Sequence, residues 1–385
     1  MPLFPLFALF VIRATGGYQF QAVAGAAPLL VASGYDYARV GMLIGAYMLP
    51  GIFVTVPAGV LSRRIGDKPV VAGGLCLMLA GAALMALTDG FPMLLAGRVL
   101  SGVGGLAVLM LVIKMTADRY AGPFLSTATG VVVTSWYVGF AGSLVVSSQL
   151  AVIGDARLAL AASGLPALLG LVMLPFIGTP RAAPQSGLAP PARVPWRFIA
   201  AAALCWTLMN VSFAVLIGFL PAYLVSRGLS APEAGATGSI LSWSSAAATI
   251  AGGYVADRLL GRTATVILGM VASALLTALI PLASGAVPVL VASGLAFALF
   301  PAALTAQVGQ ATPPAARGLV FGWYSGASYV GLSLVPWLAG ALRDASDQPS
   351  APIFLASFFL IAMLPAYAWF LRTARGLSSS ATGPA

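Results

Sequence analysis

Stretches of twenty or more apolar residues recur along the whole chain, too many and too long for a water-soluble core. A run of that length matches a hydrocarbon layer ~30 Å thick at about 1.5 Å of rise per helical residue, so each reads as a membrane-crossing helix. The chain is 60% hydrophobic and 7% charged, which would give a globular domain a mostly apolar surface. The runs predict twelve spans, at 3–32, 39–61, 69–88, 91–115, 125–150, 157–178, 197–225, 234–256, 263–284, 287–311, 318–341 and 351–371. The expected fold class is an all-α membrane protein.

The net charge of +10 raises the question of a nucleic-acid partner, and the distribution of charge argues against one. With a cytoplasmic N-terminus, the even-numbered loops and the tail hold Arg63, Arg64, Lys68, Arg119, Arg181, Arg193, Arg197, Arg258, Arg262, Arg317, Arg372 and Arg375. Against these twelve cations stand Asp67, Asp118 and Asp257, a net +9. The opposite loops hold Arg39, Arg157, Arg227 and Arg343 against Asp36, Asp89, Asp155, Glu233, Asp344 and Asp347, a net −2. This is positive-inside topology, with both termini expected in the cytoplasm and the chain in the inner membrane. No histidine occurs, and Cys76 and Cys205 both fall inside spans. No metal site, cofactor, catalytic pair or disulfide framework is therefore expected.

The segment 179–196, "TPRAAPQSGLAPPARVPW", reads as a cytoplasmic linker between a six-span half at 1–178 and a second at 197–372, with a flexible tail at 373–385. The halves repeat. Gly34, Gly41 and Gly59 pair with Gly228, Gly235 and Gly253 at an offset of 194, Pro28 with Pro221 at 193 and Gly66 with Gly261 at 195. A further pairing sets Trp136 and Tyr137 beside Trp323 and Tyr324 at an offset of 187.

Two parallel six-span repeats around a central loop resemble the major facilitator superfamily. Gly253, Asp257, Arg258, Gly261 and Arg262 match its G-x-x-x-D-R-x-x-G-R loop, and Arg98, Gly102 and Gly104 its R-x-x-x-G-x-G span-four pattern. Arg13, the exit Pro28-Leu29-Leu30, Ile113-Lys114 and "SRRIG" are similar to the cyanate and nitroimidazole porter branch. Arg63 departs from the superfamily loop, which has Asp there, and Met110 departs from the branch, which tends to have a proline. The resemblance implies a transporter that rocks its halves about a midplane site, with Arg98 as a gate or packing cation. It also implies that Asp257, with Arg258 and Arg262, forms a latch between the two cytoplasmic faces. A surface charge pair is the plainer reading of that loop.

Arg13 is the residue that bears most on function. It stands ten residues into span one, about 15 Å deep. A central arginine costs roughly 2.5–3.5 kcal/mol to insert, and no acid of this chain falls at midplane in the span map. A substrate anion is therefore its expected counter-ion; the competing reading has it snorkel or cap helix carbonyls. Around it Tyr18, Gln19 and Gln21 offer polar groups, either to a cavity or to neighbouring helices. Lys114 is a candidate substrate contact, set against an interfacial role paired with Asp118. Trp136, Tyr137, Trp323 and Tyr324 are expected to wall the cavity, with Asn210 and Gln307 as candidate contacts and Ser212, Thr305 and Gln310 as weaker ones. The expectation is a carrier of a small anion, an organic carboxylate or a cyanate- or nitrite-like ion, acting as a monomer in the lipid bilayer. The alternative is an exporter of neutral or lipophilic compounds.

Overall fold

The computed structural model describes residues 3–87, 90–120, 124–178, 194–313 and 316–381, which are helical apart from short turns. We label the spans α1 (Leu3–Ala32), α2 (Tyr37–Ile65), α3 (Asp67–Ala86), α4 (Phe91–Arg119), α5 (Leu125–Gly154) and α6 (Ala156–Phe176). The second set is α7 (Trp196–Ser226), α8 (Ala231–Tyr254), α9 (Arg262–Leu279), α10 (Ala286–Ala311), α11 (Arg317–Ser346) and α12 (Ala351–Ala381). Eleven of these are long and apolar enough to cross a membrane. The expectation of twelve such runs falls short at α8, whose Ser239, Ser242, Ser244 and Ser245 dilute its apolar character. Those serines face protein: Ser242 and Ser245 are fully buried, and the Ser245 hydroxyl donates to the Gly294 carbonyl at 3.0 Å. Helix α12 runs to Ala381, so most of the segment expected to be a flexible tail is helical. The expected linker falls largely outside the described residues.

The repeat has a backbone cause. Gly34 and Gly228, one on each side of the repeat, close α1 and α7 with φ of 102° and 97°. Gly66 and Gly261 turn the chain after α2 and α8 with φ of 94° and 77°. Residues with a Cβ rarely adopt this left-handed region, so each turn fixes a glycine. Asp36 caps α2 by accepting from the Arg39 N–H, and Ser230 with Glu233 forms a capping box on α8.

Within the first six spans α1 packs on α5 and α3 on α4; within the second, α7 packs on α11 and α12, and α8 on α10. Two crossed pairs, α2 with α11 and α5 with α8, join the sets. Gly41 meets the Pro336 carbonyl and its repeat mate Gly235 meets the Leu144 carbonyl, leaving no room for a Cβ at either crossing. Both joints lie towards the face opposite the chain ends, here called the far face. The first part of α2 buries Val40, Gly41, Leu43, Ile44, Gly45 and Ala46 there, whereas its second part buries only Gly51, Ala58 and Ser62. The halves meet at the far face and part towards the terminal face.

Candidate functional site

Three helices carry stripes at i, i+3, i+4 and i+7, the spacing that puts side chains on one face. Helix α5 supplies Val133, Trp136, Tyr137 and Phe140; α11 supplies Ser325, Ser328, Tyr329 and Leu332; α7 supplies Trp206, Met209, Asn210, Phe213, Ala214 and Ile217. Together with Arg13 and Phe20 from α1, Met48, Leu109 and Pro301, they enclose a cavity of about 340 Å³ between the halves. That lies at the small end of ligand-site volumes, roughly 300–1,000 Å³.

Among the described residues Arg13 is the one charged residue on this wall, and none of them brings a carboxylate to it. Its Nη1 donates to the carbonyls of Val132 at 3.1 Å and Val133 at 2.8 Å, and the guanidinium carbon lies 5.8 Å from the centre of the Trp136 ring. Its Nε is buried without a hydrogen-bond partner among the described residues. Carbonyl contacts and a π face solvate the cation in part and leave its net charge uncompensated. Gly17 makes this possible, because α5 approaches so closely that a Cβ there would strike the Trp136 carbonyl. The aromatic wall is continuous across the halves. Phe20 stacks on Trp136 at 6.2 Å, Phe140 on Phe213 at 6.2 Å, and Tyr137 meets Phe213 edge-on at 5.7 Å.

Of the residues singled out from the sequence, Arg13, Trp136, Tyr137 and Asn210 come together here. The others stand elsewhere. Tyr18 lies against Gly142 of α5. Gln19 is fully buried and donates to the Met78 carbonyl at 2.9 Å; Gln21, also buried, donates to the Ile217 carbonyl at 2.6 Å. Lys114 sits between Asp67 at 2.7 Å and Asp118 at 3.2 Å, a cluster at the terminal face. Gln307 accepts from the Tyr367 hydroxyl at 2.7 Å beside a second cavity that opens on that face and also holds Gln310. The Ser212 hydroxyl donates to the Ala356 carbonyl at 2.7 Å.

Trp323 and Tyr324 show why the offset of 187 misleads. Tyr329 is the residue that faces Tyr137 across the site, 192 positions on, close to the offsets of the glycine pairs. A five-residue error turns a helix by about 140°. Trp323 is accordingly half exposed and packs edge-on against Trp196, while Tyr324 stacks on Trp206 at 4.7 Å and shares a 3.2 Å contact with Thr305. The stripes on α5, α7 and α11 are visible as periodicity, which is the signal for Phe140, Phe213, Ser328 and Tyr329.

The gating candidates divide. Arg98 is fully buried and donates to the carbonyls of Gln19 at 2.6 Å, Phe20 at 3.0 Å and Leu43 at 2.8 Å, with its charge 5.0 Å from the Tyr47 ring centre. It ties α1, α2 and α4 together. Asp257 pairs with Arg262 five residues on, at 2.8 Å and within its own loop, and Arg258 is exposed. A charged contact that does span the halves lies on the far face instead. Asp344 at the end of α11 accepts from the N–H groups of Tyr37 at 3.1 Å and Ala38 at 2.8 Å, capping α2 across the interface. Arg343 lies 3.8 Å above the Tyr37 ring and donates to its hydroxyl at 2.8 Å.

Comparison with known proteins accords with this architecture. The family model described as "Major Facilitator Superfamily" matches residues 9–230 and 202–385. A crystal structure of a D-xylose-proton symporter superposes with a TM-score of 0.78 at 16% identity, covering 96% of this chain and 97% of that one. The 3-(3-hydroxy-phenyl)propionate transporter of Escherichia coli K12 is 26% identical over 351 residues, 86% of this chain and 83% of that protein. Shorter stretches match the E. coli inner membrane transport protein YajR, 36% identical over 22% of this chain and 19% of that protein. Others match the multidrug resistance protein MdtH of Aeromonas hydrophila, 28% identical over 28% of this chain and 30% of that one. The chain thus spans about a fifth of YajR and under a third of MdtH. This multi-pass membrane protein belongs to the Major Facilitator Superfamily.

Proposed function

We propose that the chain carries a small organic carboxylate, with Arg13 as the counter-charge. The observation that carries this reading is a guanidinium on a cavity wall to which the described residues bring no acid. The aromatic walls favour an organic anion over a cyanate- or nitrite-like ion: a cavity of about 340 Å³ is many times the size of a three-atom ion, and Trp136, Phe140 and Phe213 reward burial of apolar surface. The branch resemblance in Arg13, Pro28-Leu29-Leu30 and Ile113-Lys114 agrees with an anion without favouring an inorganic one. A relative matched over most of its length transports 3-(3-hydroxy-phenyl)propionate, itself an aryl carboxylate.

The positive-inside distribution assigns the terminal face to the cytoplasm of an inner membrane. In that orientation the far-face contacts lie on the outer side, which supports reading this conformation as the inward-facing one of a carrier that we take to act as a monomer. Export of neutral or lipophilic compounds is the second reading, favoured by the apolar wall and by the partial match to a multidrug resistance protein. Uptake of radiolabelled 3-phenylpropionate into proteoliposomes tests between them. Saturable uptake that excess unlabelled acid competes away is expected. Its absence, together with saturable movement of a lipophilic cation, would overturn the carboxylate reading.

A further inference from the structure

We propose that the cavity selects for charge type and for polarity at the other end of the substrate. It takes a monoanion whose remote end is an uncharged hydrogen-bonding group, such as a ring hydroxyl, and turns away zwitterions and dianions. The inference rests on the carboxylate reading and adds which carboxylates fit.

The polarity of the wall is divided between the halves. The first half brings the single cation, Arg13, set among Phe20, Trp136 and Phe140. The second half brings neutral polar groups, Asn210, Ser325, Ser328 and Tyr329. Most serines on these helices spend their hydroxyl on a backbone carbonyl, as Ser333 does on that of Tyr329 at 2.6 Å. Ser325 and Ser328 do not: neither hydroxyl has a protein partner among the described residues, although Ser328 is only 3% exposed. The Asn210 amide donates to the Trp206 carbonyl at 2.7 Å, which leaves its oxygen as an acceptor on the cavity wall. These oxygens line the cavity without a hydrogen-bond partner of their own among the described residues, so they are open to bond a polar group that enters it.

One cation and no anion set the charge rule. A second carboxylate on the substrate would lie unpaired against aromatic rings, and an ammonium group would find no carboxylate and would be repelled by Arg13. A carboxylate on Arg13 with a hydroxyl on Asn210 or Ser328 joins the two halves through one molecule. That bridge gives the ligand a means of favouring the arrangement in which the halves close over it.

The test is isothermal titration of the full-length protein in lipid nanodiscs with 3-phenylpropionate, its ring-hydroxylated analogues, phenylalanine and phenylsuccinate. We expect one ring-hydroxylated analogue to bind about three- to tenfold tighter than 3-phenylpropionate. Phenylalanine and phenylsuccinate should bind at least about 100-fold more weakly. The double variant Ser325→Ala with Ser328→Ala should bring the affinity ratio between that hydroxylated analogue and 3-phenylpropionate to within about twofold, a change in ratio that a merely structural role for the serines would not produce. Binding of phenylalanine or phenylsuccinate within tenfold of 3-phenylpropionate overturns the charge rule. Absence of any hydroxyl preference, or its survival in the double variant, overturns the polar-end rule. In both cases the carboxylate reading stands, since 3-phenylpropionate still binds. If none of the acids binds, that reading falls and this inference with it.

Discussion

The Gln21 side chain of α1 donates to the Ile217 carbonyl of α7 at 2.6 Å, and that carbonyl is free to accept because Pro221 stands four residues further on. A helical carbonyl normally takes the N–H of residue i+4, and proline has none. One half therefore carries a backbone socket, and the other carries the side chain that fills it. The bond lies on the far side, next to the close packing of Gly218 on Ile44, and rocking the halves apart there breaks it.

This contact makes Gln21→Glu an opening variant. An ionised carboxylate cannot donate to the Ile217 carbonyl, and burying it without a partner is costly. Cysteine labelling at Ser328→Cys, in a background lacking Cys76 and Cys205, reads the change. Far-side labelling by an impermeant maleimide should rise at least about threefold over the parent. Unchanged labelling would show that Gln21 packs without gating.

A second far-face contact predicts the same direction by another route. Asp344 caps the N-terminus of α2 across the interface, and such charge–dipole contacts are worth roughly 0.3–1 kcal/mol when exposed. Asp344→Asn should raise far-side accessibility modestly, and raised salt should mimic it in the parent protein. Lack of any salt effect would count against an electrostatic clasp.

The register of the repeat gives a sharper contrast. Trp136 lines the cavity, whereas Trp323, which resembles it in local sequence, is half exposed against Trp196. Trp136→Ala should weaken binding of an aryl carboxylate by about tenfold or more, and Trp323→Ala should leave it within about twofold. Equal losses in the two variants would contradict the site geometry.

The sequence disclosed different things to different degrees, for physical reasons. Spans were plain because a bilayer demands long apolar runs. Repeat-mate glycines were legible because positive φ restricts the residue, and they placed Gly34 and Gly228 correctly. Arg13 stood out by the cost of burying a charge. Trp323 misled because a dipeptide match carries no rotational information, whereas the i, i+3, i+4, i+7 stripes on α5 and α11 do. Gln19, Gln21 and Lys114 each satisfy a neighbouring carbonyl or carboxylate. A list of polar residues cannot separate such uses from cavity lining without coordinates. The pairing of Asp344 with α2 joins residues about 300 positions apart and left no local signal.

Arg98 gives a prediction about stability. It holds three carbonyls on α1 and α2 from within α4. Arg98→Leu should destabilise the purified protein by about 2–4 kcal/mol, the range for breaking a buried polar network, read as a lower unfolding midpoint. Because one of those carbonyls belongs to Phe20 of the cavity wall, Arg98→Lys should recover part of the stability and little of the affinity. Full recovery of both would reduce Arg98 to a point charge.

Arg13 decides the account most directly. Titration of 3-phenylpropionate against the parent protein, Arg13→Lys and Arg13→Gln in nanodiscs separates charge from shape. The account predicts that Arg13→Gln loses at least about 100-fold in affinity, that Arg13→Lys retains measurable binding, and that all three unfold at similar temperatures. Undiminished binding by Arg13→Gln would contradict it.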